Sequence, residues 1–261
     1  MEWETVKLEG EGAILELVLN RPRVHNAVNQ RLIEDVLRAC DAIEARPDCR
    51  AVILRGEGPS FSSGADLKEG LSGSGSLGTS LHRSRTGERM IDALGALTPV
   101  TIAAVHGHAI GGGACIAMAC DFLIGAEGAK VSIREVSLGV SLSWHSIPNC
   151  VHLVGPARAK EMILFAETYD ARTLLGYGFF QQVVADERLR EAARALAEKV
   201  VRQPPLPAAL TKASVNAYVR ALDRAVFHLD AAGVTLTGRM RDAARAKDAF
   251  FSGEPVDWEL E

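Results

Sequence analysis

The sequence predicts an α/β protein whose last third is helical. Three observations carry that expectation. Short apolar runs rich in branched residues, AILELVLN (13–20), CRAVILRG (49–56) and VTIAAVHG (100–107), read as strands. Segments of helical spacing separate them, and a strand–helix–strand order needs crossover connections, hence a parallel or mixed sheet. From about Pro156 onward the pattern is dominated by helices: ARAKEMILFAE, ERLREAARALAEKVVRQ and AALTKASVNAYVRALDRAVFHLDAAGVTLT. The expected division is an α/β core over 1–195 and a helical region over 196–261 that docks or oligomerises.

Each element follows from its residues. The first strand ends at RPRVHNAVN, where Pro22 and the Asn residues break both regular patterns. From Gln30 a helix places Leu32, Val36, Leu37, Ala39, Cys40 and Ile43 roughly on one face, and Pro47 and Asp48 end it. Gly56 closes the next strand and opens the glycine-rich loop GEGPSFSSGADLKEG. The low-complexity tract LSGSGSLGTS (71–80) is expected to be mobile, either as a loop over a site or as a surface insertion. SRTGERMIDALGAL resumes helical spacing before Pro99. After the third strand come three glycines, Gly111 to Gly113, then the small-residue helix ACIAMAC, and then the strands DFLIGA and AKVSI.

Composition narrows the function classes. A chain of 261 residues with 48% hydrophobic content buries a large core unaided. Its net charge of −4 gives no basic field for nucleic acid. Five scattered cysteines without C-x-x-C spacing suggest reduced thiols. MEWETVKLEG lacks the features of a signal peptide, and no apolar run has the length of a membrane span, so a cytoplasmic protein is expected.

Two junctions, FSSGADL and HAIGGGAC, put glycine between a strand and a helix or turn. Glycine admits a ligand to the bare backbone, and a helix start presents unpaired N–H groups. Two converging junctions would hold one oxygen between two amides. The alternative for GGG is close helix–sheet packing. A phosphate-binding P-loop is excluded because no G-K-[ST] follows. A G-x-G-x-x-G begun at Gly111 meets Ile116 at its last position.

Four segments in order carry a resemblance to a known family: LNRPRVHNAVN, VILRGEGPSFSSGADLKE, TIAAVHGHAIGGGACIAMACDF and VSIREVSLGV. LVGPARAKEMILFAETYDARTLLGYGFFQQVV follows suitably. Together they resemble the crotonase superfamily, the enoyl-CoA hydratase/isomerase family. The resemblance implies a spiral of repeated β-β-α units with a C-terminal helical trimerisation region, in place of a plain parallel sheet. It implies a homotrimer or dimer of trimers. It also implies an acyl-CoA thioester as substrate, with no further cofactor and no metal. By family position the thioester oxygen lies between the backbone N–H groups of Ala65 and Gly112. Arg23, Ala27, Asp66, Leu67 and Lys68 fall on the segments that line the coenzyme A site. Arg23 and Lys68 are candidate phosphate contacts or plain surface charge, and Asp66 suits shaping the loop.

The chain departs from the family's hydratases at three places. They use two glutamates, because one carboxylate can activate water while the other moves the α-proton. The second is present as Glu135. The first, in GGGxE, is replaced by Cys115. A thiol does not orient water as a carboxylate does, so Cys115 reads as a packed small residue in preference to a nucleophile. Where hydratases run IPGGGGTQRL, this chain has VSLSWHSIPNCVHL, which puts Trp144 and His145 at possible pocket positions. Trp144 is either a pocket wall or a core or trimer contact; His145 is either structural or a second proton carrier. Third, the family's tail lysine is replaced by Gly253, with Lys247 as a possible substitute. His106 and Asp121 read as structural, and His108 as strand packing or a side chain that approaches the acyl chain. One retained glutamate resembles the family's enoyl-CoA isomerases, the favoured expectation, with Glu135, Ala65 and Gly112 as catalytic candidates. Hydratase, hydrolase, decarboxylase or lyase chemistry, and a non-catalytic acyl-CoA-binding subunit, are the alternatives.

Overall fold

The computed structural model describes residues 1–68, 76–254, 256, 258 and 259. Among the described residues nine strands form two sheets: β1 (Val6–Glu9), β2 (Ile14–Leu19), β3 (Ala51–Gly56), β4 (Val100–Val105), β5 (His108–Ile110), β6 (Phe122–Ala126), β7 (Lys130–Ser132), β8 (Thr168–Asp170) and β9 (Gln182–Val184). The larger sheet has the order β1-β2-β3-β4-β6-β9 and is parallel except for β1. The smaller has the order β5-β7-β8.

Between and after the strands lie α1 (Gln30–Glu44), α2 (Leu77–Ala96), α3 (Gly112–Met118), α4 (Ser146–Leu164), α5 (Ala171–Tyr177) and α6 (Leu189–Val201). Four more close the chain: α7 (Pro205–Val219), α8 (Arg224–Phe227), α9 (Asp230–Thr237) and α10 (Arg241–Ser252). The β4-β5-α3 turn is followed by β6-β7-α4, and each turn sends its first strand to the large sheet and its second to the small one. This is the crotonase-like β-β-α spiral.

Local chemistry explains the principal elements. Strands β3 and β4 are buried on both faces, which explains their unbroken apolar runs. Asn29 caps α1 by accepting from the Leu32 N–H at 2.9 Å. Leu32, Ile33, Val36, Ala39, Cys40 and Ile43 are buried on that helix, and Leu37 lies at the edge of the core. Ser76 caps α2 through the Thr79 N–H. The tract expected to be mobile therefore ends in ordered helix from Leu77, while residues 69–75 lie outside the described residues.

The expected boundary at 195/196 falls inside α6, which packs across β2, β3, β4 and β6. The α/β core thus continues through Val201. A Gly155 with φ +76° breaks α4 ahead of Pro156, so the span is two helices meeting at a kink. All five cysteines are buried and free.

Candidate active site

The loops after β2 and β3 are laced together before either meets a ligand. Buried Asn26, at φ +54°, accepts from the Arg21 N–H and donates to the carbonyls of Glu57 and Ser60. Ser62 Oγ donates to the Asn26 carbonyl at 2.8 Å. Arg21 pairs with Asp66 at 3.0 Å and donates to the Ala27 carbonyl. Asp66 thus ties its loop to Arg21, a partner that sequence reading did not single out. Ala27 is buried beneath these loops, and Arg23 and Lys68 are exposed on them.

Ala65 lies on the rim of this lacework. The Val28 N–H bonds the Gly64 carbonyl at 2.7 Å, and the Asp66 N–H bonds the Val28 carbonyl at 2.9 Å. These bonds flank Ala65 and leave its N–H outside the pairing. Gly112 opens α3, so its N–H has no partner in the preceding helical turn. The two segments touch: a Cβ on Gly64 would lie 3.5 Å from the Gly112 nitrogen. Gly64 has φ +84°, and such a Cβ would also collide with the Ile110 carbonyl.

The three glycines answer to three different neighbours. A Cβ on Gly111 (φ +49°) would meet Glu135 Oε1 at 2.9 Å; one on Gly112 would meet Trp144 Cζ3 at 2.8 Å; one on Gly113 would meet the Ser62 carbonyl at 2.6 Å. Close packing accounts for all three, and it also places a carboxylate and an indole directly against the backbone of the junction.

Around this junction lies a cavity of about 410 Å³, lined by Ala65, Leu67, Gly112, Cys115, Glu135 and Trp144 among others. Glu135 is partly exposed as a residue, yet its Oε2 is shut away from solvent and has no hydrogen-bond partner. Burial pushes its pKa up to about 7, against the smaller opposing effect of nearby backbone N–H groups. Cys115 is 2% exposed, and burial, followed by the charge of Glu135, holds its thiol well above the ordinary range. It is packed into the core as a small side chain. Among the described lining residues Glu135 is the one carboxylate.

Trp144 and His145 both occupy left-handed backbone, at φ +59° and +52°. The Trp144 ring forms part of the cavity wall. His145 does not: its ring lines a separate hollow, stacks on Phe227 at 3.6 Å and bonds Asp92 Oδ1 at 2.9 Å. Its backbone N–H donates to Asp230 Oδ2 at 2.6 Å. The pocket position expected for His145 is thereby corrected, because consecutive left-handed residues send the two side chains apart. Burial opposes protonation of His145, but the Asp92 hydrogen bond and the charges of Asp92, Glu88 and Asp230 outweigh it and raise its pKa. Glu88, His145 and Asp230 bring possible metal-ligand atoms within 4.8 Å of one another, and the three are already tied together, His145 Nε2 lying 4.0 Å from Glu88 Oε2 and the His145 N–H donating to Asp230.

Lys247 of α10 lines the cavity, as do Arg83 and Arg134, which sequence reading did not single out. No motif marks these two. Arg134 is next to Glu135 in sequence, and Arg83 reaches the site only because α2 crosses it. Asp121 is structural: it accepts from the Thr101 N–H and hydroxyl and pairs with Lys212 at 2.7 Å. His106 meets the Gly58 carbonyl at 2.9 Å, and His108 lies 3.4 Å from Ser60 Oγ.

Comparisons with known proteins agree with this architecture. Residues 9–260 match the family model described as enoyl-CoA hydratase/isomerase. The chain is 32% identical to the probable enoyl-CoA hydratase echA8 of Mycobacterium bovis, covering 83% of this chain and 82% of that protein. It is 35% identical to a probable enoyl-CoA hydratase of Rhizobium meliloti, over 83% of this chain and 82% of the relative. A crystal structure of an enoyl-CoA hydratase from Mycobacterium avium subsp. paratuberculosis superposes with a TM-score of 0.87 over 98% of both chains, at 21% identity, which shows the same fold. The chain belongs to the enoyl-CoA hydratase/isomerase family.

Proposed function

We propose that this enzyme moves a proton on an enoyl-CoA thioester, converting a 3-enoyl into a 2-enoyl isomer through Glu135. The carboxylate takes a proton from C2 of the 3-enoyl thioester. The electron pair spreads into a dienolate whose oxygen sits between the N–H groups of Ala65 and Gly112. The same carboxyl then returns the proton to C4, leaving the double bond at C2–C3, so no atom is gained or lost. Charge develops on the oxygen only as the proton leaves, so the two amides favour the transition state over the ground state. One such donor is worth on the order of 3–4 kcal/mol.

The observation that carries the reading is the single carboxylate of the described cavity lining, with a buried thiol where a second carboxylate would activate water. The Glu135 pKa near 7 suits a group that must act as base and then as acid. Hydration through Glu135 alone is a second reading, favoured by the hydratase names of the relatives. The Glu135→Gln variant tests the assignment of the base. Turnover is expected to fall by about 10³-fold or more with saturated acyl-CoA binding retained, and near-normal turnover would remove Glu135 from the mechanism.

A further inference from the structure

Resting on the acyl-CoA reading of the cavity, we infer that Trp144 ends the acyl pocket and restricts the substrate to short acyl chains. The argument starts from two glycines on different helices. A Cβ on Gly112 of α3 would overlap the benzo edge of the indole at Cζ3, and a Cβ on Gly87 of α2 would overlap its Nε1 edge. Both helices therefore give up a side chain to the same ring, and the indole fills the space between them. A glycine inside α2 is otherwise unfavourable for a helix.

The ring also stands close to the reacting atoms. Gly112 carries one of the two amides assigned to the thioester oxygen. Its neighbour Gly111 is covered by the Glu135 carboxylate. A thioester held by those groups has its first carbons beside Trp144, and a longer chain must displace the ring to pass between α2 and α3.

The residue is braced. Ser146 Oγ donates to the Trp144 carbonyl at 3.0 Å. The next residue, His145, is held through its backbone by Asp230, through its ring by Asp92, and by stacking on Phe227. The left-handed turn that aims the indole inward is thus fixed from outside the cavity.

The test pairs turnover with binding. For wild type and Trp144→Ala, kcat/KM is measured with 3-butenoyl-, 3-hexenoyl- and 3-decenoyl-CoA. Binding of butyryl-, decanoyl- and cinnamoyl-CoA is measured on Glu135→Gln with and without Trp144→Ala. Wild type is expected to lose at least about tenfold from hexenoyl to decenoyl, and Trp144→Ala to recover about tenfold for the long chain relative to the short. The binding series should follow the same order. A flat wild-type profile, tighter binding of the aromatic acyl group, or an unchanged profile in Trp144→Ala would overturn the inference. The wild-type series decides the matter even if the variant does not fold. Chain selection in binding without isomerisation would reject the proton-transfer proposal alone; isomerisation without chain selection would reject the role of Trp144 alone.

Discussion

In the proposed mechanism Glu135 carries the proton transfer, and that role sets a pH dependence that can be checked in two ways. Its folded pKa lies near 7 against a reference of 4.5, because burial disfavours the charged carboxylate. As a base it must start ionised, so kcat/KM is expected to rise with pH and level off above about 7. Stability should move the other way. The folded protein binds this proton more tightly than the unfolded chain, so the contribution is fully present below pH 4.5 and lost as pH rises to about 7. The difference is about 3 kcal/mol. Denaturant titrations should show Glu135→Gln gaining stability over wild type at pH 8 and little at pH 4. Cys115 tests the opposite expectation. Cys115→Ala should cost about 1 kcal/mol in stability and leave turnover within about threefold, whereas abolished turnover would make the thiol part of the chemistry. Trp144 and His145 each adopt left-handed backbone at a cost of roughly 1–3 kcal/mol, which the surrounding hydrogen bonds and stacking offset.

At the scale of elements, the site is the meeting of the loop around Gly64 with the β5-to-α3 junction, and glycine makes the meeting possible. Gly64→Ala combines a left-handed φ with a collision against the Ile110 carbonyl. It should cost about 1–3 kcal/mol and lower kcat by about 10²-fold, since the Ala65 amide moves with it; unchanged kcat with intact folding would detach that amide from catalysis. Much of this was legible in the residues. GGG announced bare backbone at a helix start and GADL bare backbone at a turn, and the missing glutamate at Cys115 was plain from position. The bracing was not, because Asn26 at φ +54°, the Arg21–Asp66 pair and the His145–Asp92–Asp230 contacts join residues 5 to 85 positions apart. The same limit applies to strands: β2, β3 and β4 were readable as long apolar runs, but β5, β8 and β9 have three residues each and exist only by pairing. The end of the 71–80 tract, from Ser76 on, misled for a simpler reason. Its Ser and Gly content resembles a loop, while Ser76 in fact caps a helix beginning at Leu77.

Across the whole molecule, the spiral turns the two junctions toward one cavity and the C-terminal helices close it from the other side, with Val234 and Lys247 in its wall. Lys212 fastens that helical region to the core, bonding both Asp121 and the Pro99 carbonyl at 2.7 Å with little exposure. Lys212→Met should lower stability by about 2 kcal/mol, roughly 4 °C in Tm for a chain of this size, and an unshifted melting curve would show the contact to be idle. Composition foretold a helical last third, but not that α6 belongs to the sheet, since only its packing face distinguishes it from the helices that follow. The central claim is one proton moved by one carboxylate. It is tested most directly by incubating the enzyme with a 3-enoyl-CoA and, separately, a 2-enoyl-CoA in deuterated water and identifying the products. Interconversion of the two isomers with no added oxygen is the expected result, with deuterium entering only to the extent that the Glu135 carboxyl exchanges its proton with solvent between the two steps. Accumulation of 3-hydroxyacyl-CoA, without exchange between the isomers, would contradict it.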